Sequence, residues 1–523
     1  MIARKSFLVF LNMVAGSILG YVALFFIWRY MGAEDYGIIG FGLAFVGLFT
    51  FIADMGFGAA HTKRVSEGRD LGRCIGTFYV IKFILISIMA ICVLASVFIW
   101  KFALGRGFES PYHEPVIYIF ILYYIVFGLT SIPLATYGAR RETAKQQIPT
   151  LLEPLTRVPV AIAVALASFG VLALAGSYLL GVLAILVTAF ILFRGYPIGK
   201  FDAELFVKYR KFALPLAISS GIVIISLNVD KVMLQLFWGS RYVGYYFGVQ
   251  KLTTFLISMS LAVTMLLFPT LSKHHGKNEH EEVKRLTSSA ERYVSLVVIP
   301  CAALLIVFSK PFLRLFGPDL SENAYVVLQI MTVYAVVTCF WLIFFNQLMG
   351  VDKPGLSAKI SIAMHAINVG LNFILIPKDI KTLGINLFGL GTEGAALATA
   401  ISAVFGLIMF KHYAKKFTDT RWNPRILLHI TAAVIMGAFL FYLTSTFSIW
   451  EMYEPFGAGV LELLLYIVLL GGVSLLGIAI YVMILSLFKE FTKDDLKLFL
   501  DILNPKGMGR YVATELKDKE SKG

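Results

Sequence analysis

The chain of 523 residues predicts an all-α polytopic membrane protein of about fourteen spanning helices, arranged as two six-helix pseudo-symmetric bundles plus two extra C-terminal helices. Three observations predict it. Hydrophobic residues make up 58% of the chain against 15% charged, and apolar runs repeatedly reach the roughly 20 residues that cross a bilayer. One stretch occurs twice: Trp28-Arg29-Tyr30-Met31-Gly32-Ala33-Glu34-Asp35-Tyr36-Gly37 returns as Phe237-Trp238-Gly239-Ser240-Arg241-Tyr242-Val243-Gly244, with Gly32 and Gly37 falling on Gly239 and Gly244 at a single offset of 207 residues. Paired bundles of this kind are how many transporters build a cavity at the membrane midplane. Third, basic residues gather in alternate connecting segments, as they do in multi-pass proteins.

The elements follow in order. Span 1 (6–31) begins after Arg4 and Lys5 and stops at Gly32; without a small-residue cleavage site it reads as a retained helix and not a signal peptide. Span 2 (36–58) leads into a basic loop, and spans 3 (76–101) and 4 (115–137) are parted around Pro111. Spans 5 (148–169) and 6 (171–193) are separated only by Ser168, Phe169 and Gly170. A linker from Arg194 to Lys211, holding Pro197, Gly199 and mixed charges, suits a surface joint between two moving bundles. Beyond it come spans 7 to 12 (212–237, 242–271, 291–310, 322–349, 355–377 and 391–413), then spans 13 (424–447) and 14 (459–488), which have no counterpart in the first half. The resulting units are 1–205, 206–416, 417–488 and a tail, 489–523. In the tail Leu496, Leu498, Phe499 and Leu500 alternate with Lys and Asp, which predicts an amphipathic helix on the inner leaflet.

With the N-terminus cytoplasmic, 33 basic residues fall on the inner side and eight outside, so both termini are expected in the cytoplasm, with the protein in the cell membrane. The same bias accounts for most of the formal +14 charge, which is therefore no argument for nucleic acid. Cys74, Cys92, Cys301 and Cys339 lie in or beside spans without metal-like spacing and read as apolar packing residues; no metal or cofactor is expected.

Several segments resemble one family. Ile38 to Phe45 followed by Ile52-Ala53-Asp54-Met55-Gly56-Phe57-Gly58 is similar to its second span. Asn228-Val229-Asp230-Lys231-Val232-Met233-Leu234, with Gly239, Gly244-Tyr245-Tyr246 and Lys251-Leu252, is similar to its seventh and eighth, and Gly394 to Thr399 to its twelfth. The family is the polysaccharide transporter branch of the multidrug/oligosaccharidyl-lipid/polysaccharide exporter superfamily, which contains Wzx-type flippases. The resemblance covers residues 1 to 415. It implies a flippase that moves an oligosaccharide on a polyprenyl phosphate or pyrophosphate from the inner to the outer leaflet, with a coupling ion, H+ or Na+, and polysaccharide assembly enzymes as partners.

A charge on a central turn of a spanning helix costs about 2.5 to 3.5 kcal/mol on insertion scales, so embedded charges face a partner or a watery cavity. Five basic residues, Lys82, Arg157, Lys231, Lys251 and Lys359, and three acidic ones, Asp54, Glu153 and Asp230, lie deep in spans. A net cationic interior suits an anionic headgroup. Arg157 stands out because Pro154 and Pro159 flank it and should bend the helix. Glu153, four residues earlier, shares its face, so the two either neutralise each other or serve a ligand together. Asp230 and Lys231 project about 100° apart, so one of them is expected to pair with Lys251 in a gate or a packing pair, or to face outward. Asp54 is expected in a structural pair near the inner end of span 2, while Lys82 and Lys359 are expected to snorkel or to reach the cavity. Ser361, His365, Asn368 and Asn372 form a polar stripe on span 11 that either lines a sugar path or bonds helices together, and His365 is also a candidate for a coupling proton.

Two other classes remain open at this point. A cation-coupled drug or metabolite antiporter of the same superfamily would be expected to have an acidic cavity. An integral membrane glycosyltransferase or ligase would be expected to carry a large outer catalytic loop, and no nucleophile elbow, metal triad or phosphate loop stands out in this chain, which reads as no enzyme.

Overall fold

The computed structural model describes residues 2–103, 105, 107–380, 385–457, 459–493 and 495. The amphipathic helix expected from Leu496 onward, and Arg106 and Lys381, lie outside the described residues. Nearly all the rest is helix, apart from a two-residue ladder pairing Asp379 with Asn386 and Ile380 with Ile385. Among the described residues, twelve helices are long and apolar enough to cross a membrane. The first of them, Ile2–Gly47, turns back at Gly32 and so forms spans 1 and 2, and Ser240–His275 adds span 8, which brings the described chain to fourteen spans.

The two turn-backs share one conformation. Gly32 has φ 82° and ψ 179° and Gly239 has φ 98° and ψ 176°, a region that is essentially glycine's alone. Two residues 207 apart thus make the same corner, and the pairing of helices repeats as well. Span 1 packs on span 5 as span 7 (Ala203–Phe237) packs on span 11 (Pro354–Leu375), and span 5 (Thr143–Leu166) on span 6 (Gly170–Leu192) as span 11 on span 12 (Gly391–Thr418). Span 4 (His113–Ala139) on span 6 matches span 10 (Tyr325–Gly350) on span 12. Spans 13 (Arg425–Thr446) and 14 (Val460–Leu487) pack on each other and on span 9 (His280–Val307), outside the two-fold arrangement.

We call the membrane face where span 1 begins the terminal face, and the opposite one the far face. At the far face the halves meet by close backbone approach. A Cβ on Gly37 would stand 1.7 Å from the Ser240 carbonyl oxygen, and one on Gly244 would stand 1.8 Å from that of Ala33. Since the offset carries Ala33 onto Ser240 and Gly37 onto Gly244, these are one contact made twice, as across a two-fold axis. Gly40 lies on that axis, against its own counterpart Phe247, whose ring would be 2.8 Å from an added Cβ.

The structure departs from the sequence reading in several places. The linker is shorter than expected, because helix begins at Ala203, where the Asp202 side chain accepts from the Leu205 amide and caps it. Span 9 ends at Val307, and two short helices, Ser309–Arg314 and Pro318–Asn323, lead to span 10. Span 5 runs unbroken through Pro154 and Pro159. Span 2 is the largest departure. It stops at Gly47 and is continued by Thr50–Asp54 and Phe57–Ser66, which are separated by Met55 (φ 43°) and Gly56 (φ 78°), both left-handed. A Cβ on Gly56 would meet the Ala213 carbonyl oxygen at 2.8 Å, so span 7 packs into the break.

Candidate substrate cavity and far-face closure

A cavity of about 470 Å³ lies between the halves, lined by spans 1, 2, 5, 6 and 8. Asn12 stands at one end, holding span 1 to span 5 through Gln147 Oε1 (2.9 Å) and Thr150 Oγ1 (2.7 Å). Leu24 and Tyr36 stand at the other, about 18 Å further along span 1 at 1.5 Å per residue from Asn12 to Leu24. Above them aromatic rings fill the space towards the far face. Tyr36 stacks on Phe247 at 5.0 Å, and Trp28 stands edge-on to Tyr36 at 6.1 Å and to Phe316 at 5.2 Å. Trp28 lies directly over Gly248, where a Cβ would fall 1.4 Å from the indole.

Among the described residues, two cations face this cavity. Arg157 gives its Nε to Glu153 Oε1 at 2.5 Å and lays its guanidinium over the Tyr178 ring at 4.8 Å. Among the described residues nothing else bonds its two terminal nitrogens, which leaves the planar fork for a ligand. Lys251 is exposed to the cavity above the Phe247 ring, 5.2 Å from its centroid, and among the described residues it has no ion pair. Glu153 is the one carboxylate among the described lining residues, and Arg157 neutralises it. The electrostatic surplus is therefore positive.

The other embedded charges stand elsewhere. Asp230 does not pair with Lys251. Its partner is the neighbouring Lys231, whose long stem folds back so that Nζ reaches Asp230 Oδ1 at 3.0 Å and the Leu227 carbonyl at 2.8 Å, although the two Cβ atoms point apart. Lys82 neither snorkels nor lines this cavity. It is buried, with Nζ on the Ala53 carbonyl (2.9 Å) and on Asp54 Oδ1 (2.8 Å), and Asp54 in turn accepts from the Gly58 amide at 3.3 Å. Asp54 therefore bridges the break in span 2 to Gly58, and Lys82 of span 3 holds its carboxylate in place. Lys359 is exposed and lies away from the cavity.

The span 11 stripe joins helices. Asn368 Oδ1 accepts from Ser226 Oγ (2.8 Å) and from Asn372 Nδ2 (3.2 Å), and its Nδ2 donates to Thr399 Oγ1 (3.3 Å). His365 Nδ1 is 3.0 Å from the same Ser226 hydroxyl. Spans 7, 11 and 12 are thereby bonded into one unit inside the second half.

A polar lock at the far face went unnoticed in the sequence. Glu109 Oε2 accepts from Gln235 Nε2 (2.7 Å) and from the Ser240 amide and hydroxyl (both 2.8 Å), and His113 Nε2 lies 3.0 Å from that hydroxyl. Burial pushes the Glu109 carboxyl up, but the bonds from Ser240 and Gln235 outweigh it and hold the group below the usual carboxylate range. Asn12, Tyr36 and Tyr178 likewise did not stand out in the sequence beside the embedded charges and the polar stripe of span 11. A polar Asn and lone tyrosines in otherwise apolar runs were the available signal.

Two-fold related halves, a cationic cavity between them and a closed far face define a class: an internally duplicated helical membrane protein with its site at the junction of the halves. The chain belongs to the polysaccharide biosynthesis protein family, whose model matches residues 26–319, more than half its length. It is 23% identical over 450 residues to a Haloferax volcanii protein named "Probable low-salt glycan biosynthesis flippase", covering 84% of this chain and 89% of that one. Among solved structures it is similar to the lipid II flippase MurJ in an inward closed conformation, with a TM-score of 0.69, 16% identity and coverage of 91% of this chain and 98% of that one. It is also similar to an inward-facing multidrug resistance MATE transporter of the MOP superfamily, with a TM-score of 0.62, 15% identity and coverage of 77% and 96%.

Proposed function

We propose that this protein is a flippase for oligosaccharide carried on a polyprenyl phosphate or pyrophosphate, working by alternating access for surface glycan assembly. The observation that carries the reading is the pairing of Arg157 and Lys251 in one cavity beneath a sealed far face. A phosphate leaving water needs positive charge and donors, and here the guanidinium fork and the ammonium supply both. Gly16, Ser17 and Gly20 of span 1 leave room along the wall, and at Gly20 a Cβ would meet nothing within 4 Å. The relative named as a glycan biosynthesis flippase supports the same cargo class.

In this reading the terminal face is cytoplasmic, supported by 33 basic residues against eight, and the protein sits in the cell membrane. Energy would come from a coupling ion, H+ or Na+. A cation antiporter is disfavoured because the carboxylate facing the cavity is already paired with Arg157.

The test is translocation of a radiolabelled polyprenyl-linked oligosaccharide in proteoliposomes against a mock-purified control. Transport above the control supports the flippase. Transport equal to the control across several lipid-linked sugars, with uptake of a soluble cation against a proton or sodium gradient, would replace it with the antiporter.

A further inference from the structure

The far-face closure consists of two crossings that occupy equivalent positions in the two halves but differ in chemistry. In one, Trp28 meets Phe316 ring edge to ring face at 5.2 Å, with Phe25 packed on the same Phe316 at 6.0 Å. In the other, Gln235 meets Glu109 through a hydrogen bond of 2.7 Å. The offset of 207 carries Trp28 onto Gln235, and Glu109 and Phe316 both lie in the corner between the third and fourth spans of their halves, after Phe98 and Val307 and before His113 and Tyr325. One pair is therefore the image of the other, aromatic on one side of the axis and polar on the opposite side.

Opening these crossings has different consequences. Trp28 and Phe316 are 2% and 6% exposed, so parting them brings apolar surface into water. Glu109 is already exposed, and although Gln235, Ser240 and His113 are buried, parting them exchanges protein hydrogen bonds for bonds to water, so the net cost is small beside the gross bond energy. The aromatic side is also strapped down. Arg29, beside Trp28, donates to the carbonyls of Leu315 (3.2 Å) and Pro455 (2.6 Å), tying span 1 to the corner before span 10 and to the loop before span 14. Among the described residues, the charged groups around the polar crossing are His113 at the start of span 4, Glu34 at the start of span 2, Lys101 paired with Glu114, and Lys378 over the Trp238 ring.

We propose that the far face opens as a one-sided door: the Glu109–Gln235–Ser240 crossing parts and the Trp28–Phe316 crossing stays together as the hinge. Glu109 is the releasable latch. This rests on the alternating-access reading above. It is read from distances without any substrate, so its failure and the failure of the cargo assignment are distinguishable.

The experiment uses pulsed electron-spin distance measurements on the full chain in lipid nanodiscs, with Cys74, Cys92, Cys301 and Cys339 replaced by Ala. One label pair, Tyr112→Cys with Phe237→Cys, straddles the polar crossing; another, Tyr30→Cys with Lys310→Cys, straddles the aromatic one. Glu109→Ala is expected to raise the long-distance population of the first pair about tenfold, the response to losing charge-assisted bonds, and to leave the second pair at its wild-type distances. Glu109→Gln, close to isosteric, serves as the second variant and is expected to give the same pattern more weakly. If both pairs lengthen together in either variant, or neither changes, the one-sided door is wrong.

Discussion

Gly37 and Gly244 each press against the backbone of the opposite half, so that a methyl group on either would sit within 1.8 Å of a carbonyl oxygen. No side-chain rotation can relieve such a clash. Gly37→Ala and Gly244→Ala should therefore each force the halves apart at the far face, at the 1 to 3 kcal/mol typical of overpacking, about 1.4 kcal/mol being tenfold in population. Because the two contacts are symmetry images, the variants should behave alike, with far-face distances lengthened and translocation reduced about tenfold.

Gly32 and Gly239 provide a contrast. Both have backbone angles that an alanine adopts only at a cost of about 1 to 3 kcal/mol. A Cβ at Gly32 meets nothing within 4 Å, whereas one at Gly239 would stand 2.7 Å from Glu109 Oε1. Gly239→Ala should lower the melting temperature more than Gly32→Ala and should also loosen the polar crossing.

Within the cavity, Arg157→Ala should reduce translocation at least about tenfold, as loss of a charge-assisted contact does. Arg157→Lys should restore only part of it, since an ammonium does not reproduce the fork that remains after Glu153 takes Nε. Lys251→Ala should also reduce transport, and the double variant should fall to the mock level.

Lys82→Met tests the break in span 2. It removes the donor to the Ala53 carbonyl and the partner of Asp54, and since the Asp54 side chain is 46% exposed and can hydrate, the expected loss is about 1 to 3 kcal/mol in denaturation in detergent. Lys359→Met, on an exposed position, should change stability by less than about 0.5 kcal/mol.

Acidity should act on the far face with a definite sign. Glu109 is held below the ordinary carboxylate range when the face is closed, so closure binds the ionised form more tightly than opening does. That stabilisation is complete above the ordinary value of about 4.3 and is lost as pH falls through the lower closed-state value. Distances across the polar crossing should hold steady from neutral pH to about 5 and lengthen below about 4, and in Glu109→Gln this dependence should vanish.

The sequence made the duplicated architecture legible because glycines with special backbone angles are visible as letters. Gly32 and Gly239 announced the same corner, and the apolar runs announced the helices between. Arg157 was legible too, as a charge in an apolar run four residues after Glu153. Pairings across space were not. Asp230 lay beside its true partner, Lys231, but projection angles count Cβ directions and ignore a four-carbon stem. The break at Met55 and Gly56 was hidden because an apolar run reads the same whether its helix is continuous or interrupted by two left-handed residues. Glu109 escaped because it sits in a loop, where a carboxylate is ordinary until Ser240 and Gln235 are seen to hold it.

Gly40 against Phe247 bears on ancestry. These are the same position in the two halves, and they touch each other on the axis. In a dimer of identical chains that spot would hold two copies of one residue: a pair of phenylalanine rings competing for one space, or a pair of glycines around a hole. A knob fitted to a socket at a single repeat position requires two copies that mutate independently. This knob-and-socket part of the seal therefore postdates the duplication that made it possible.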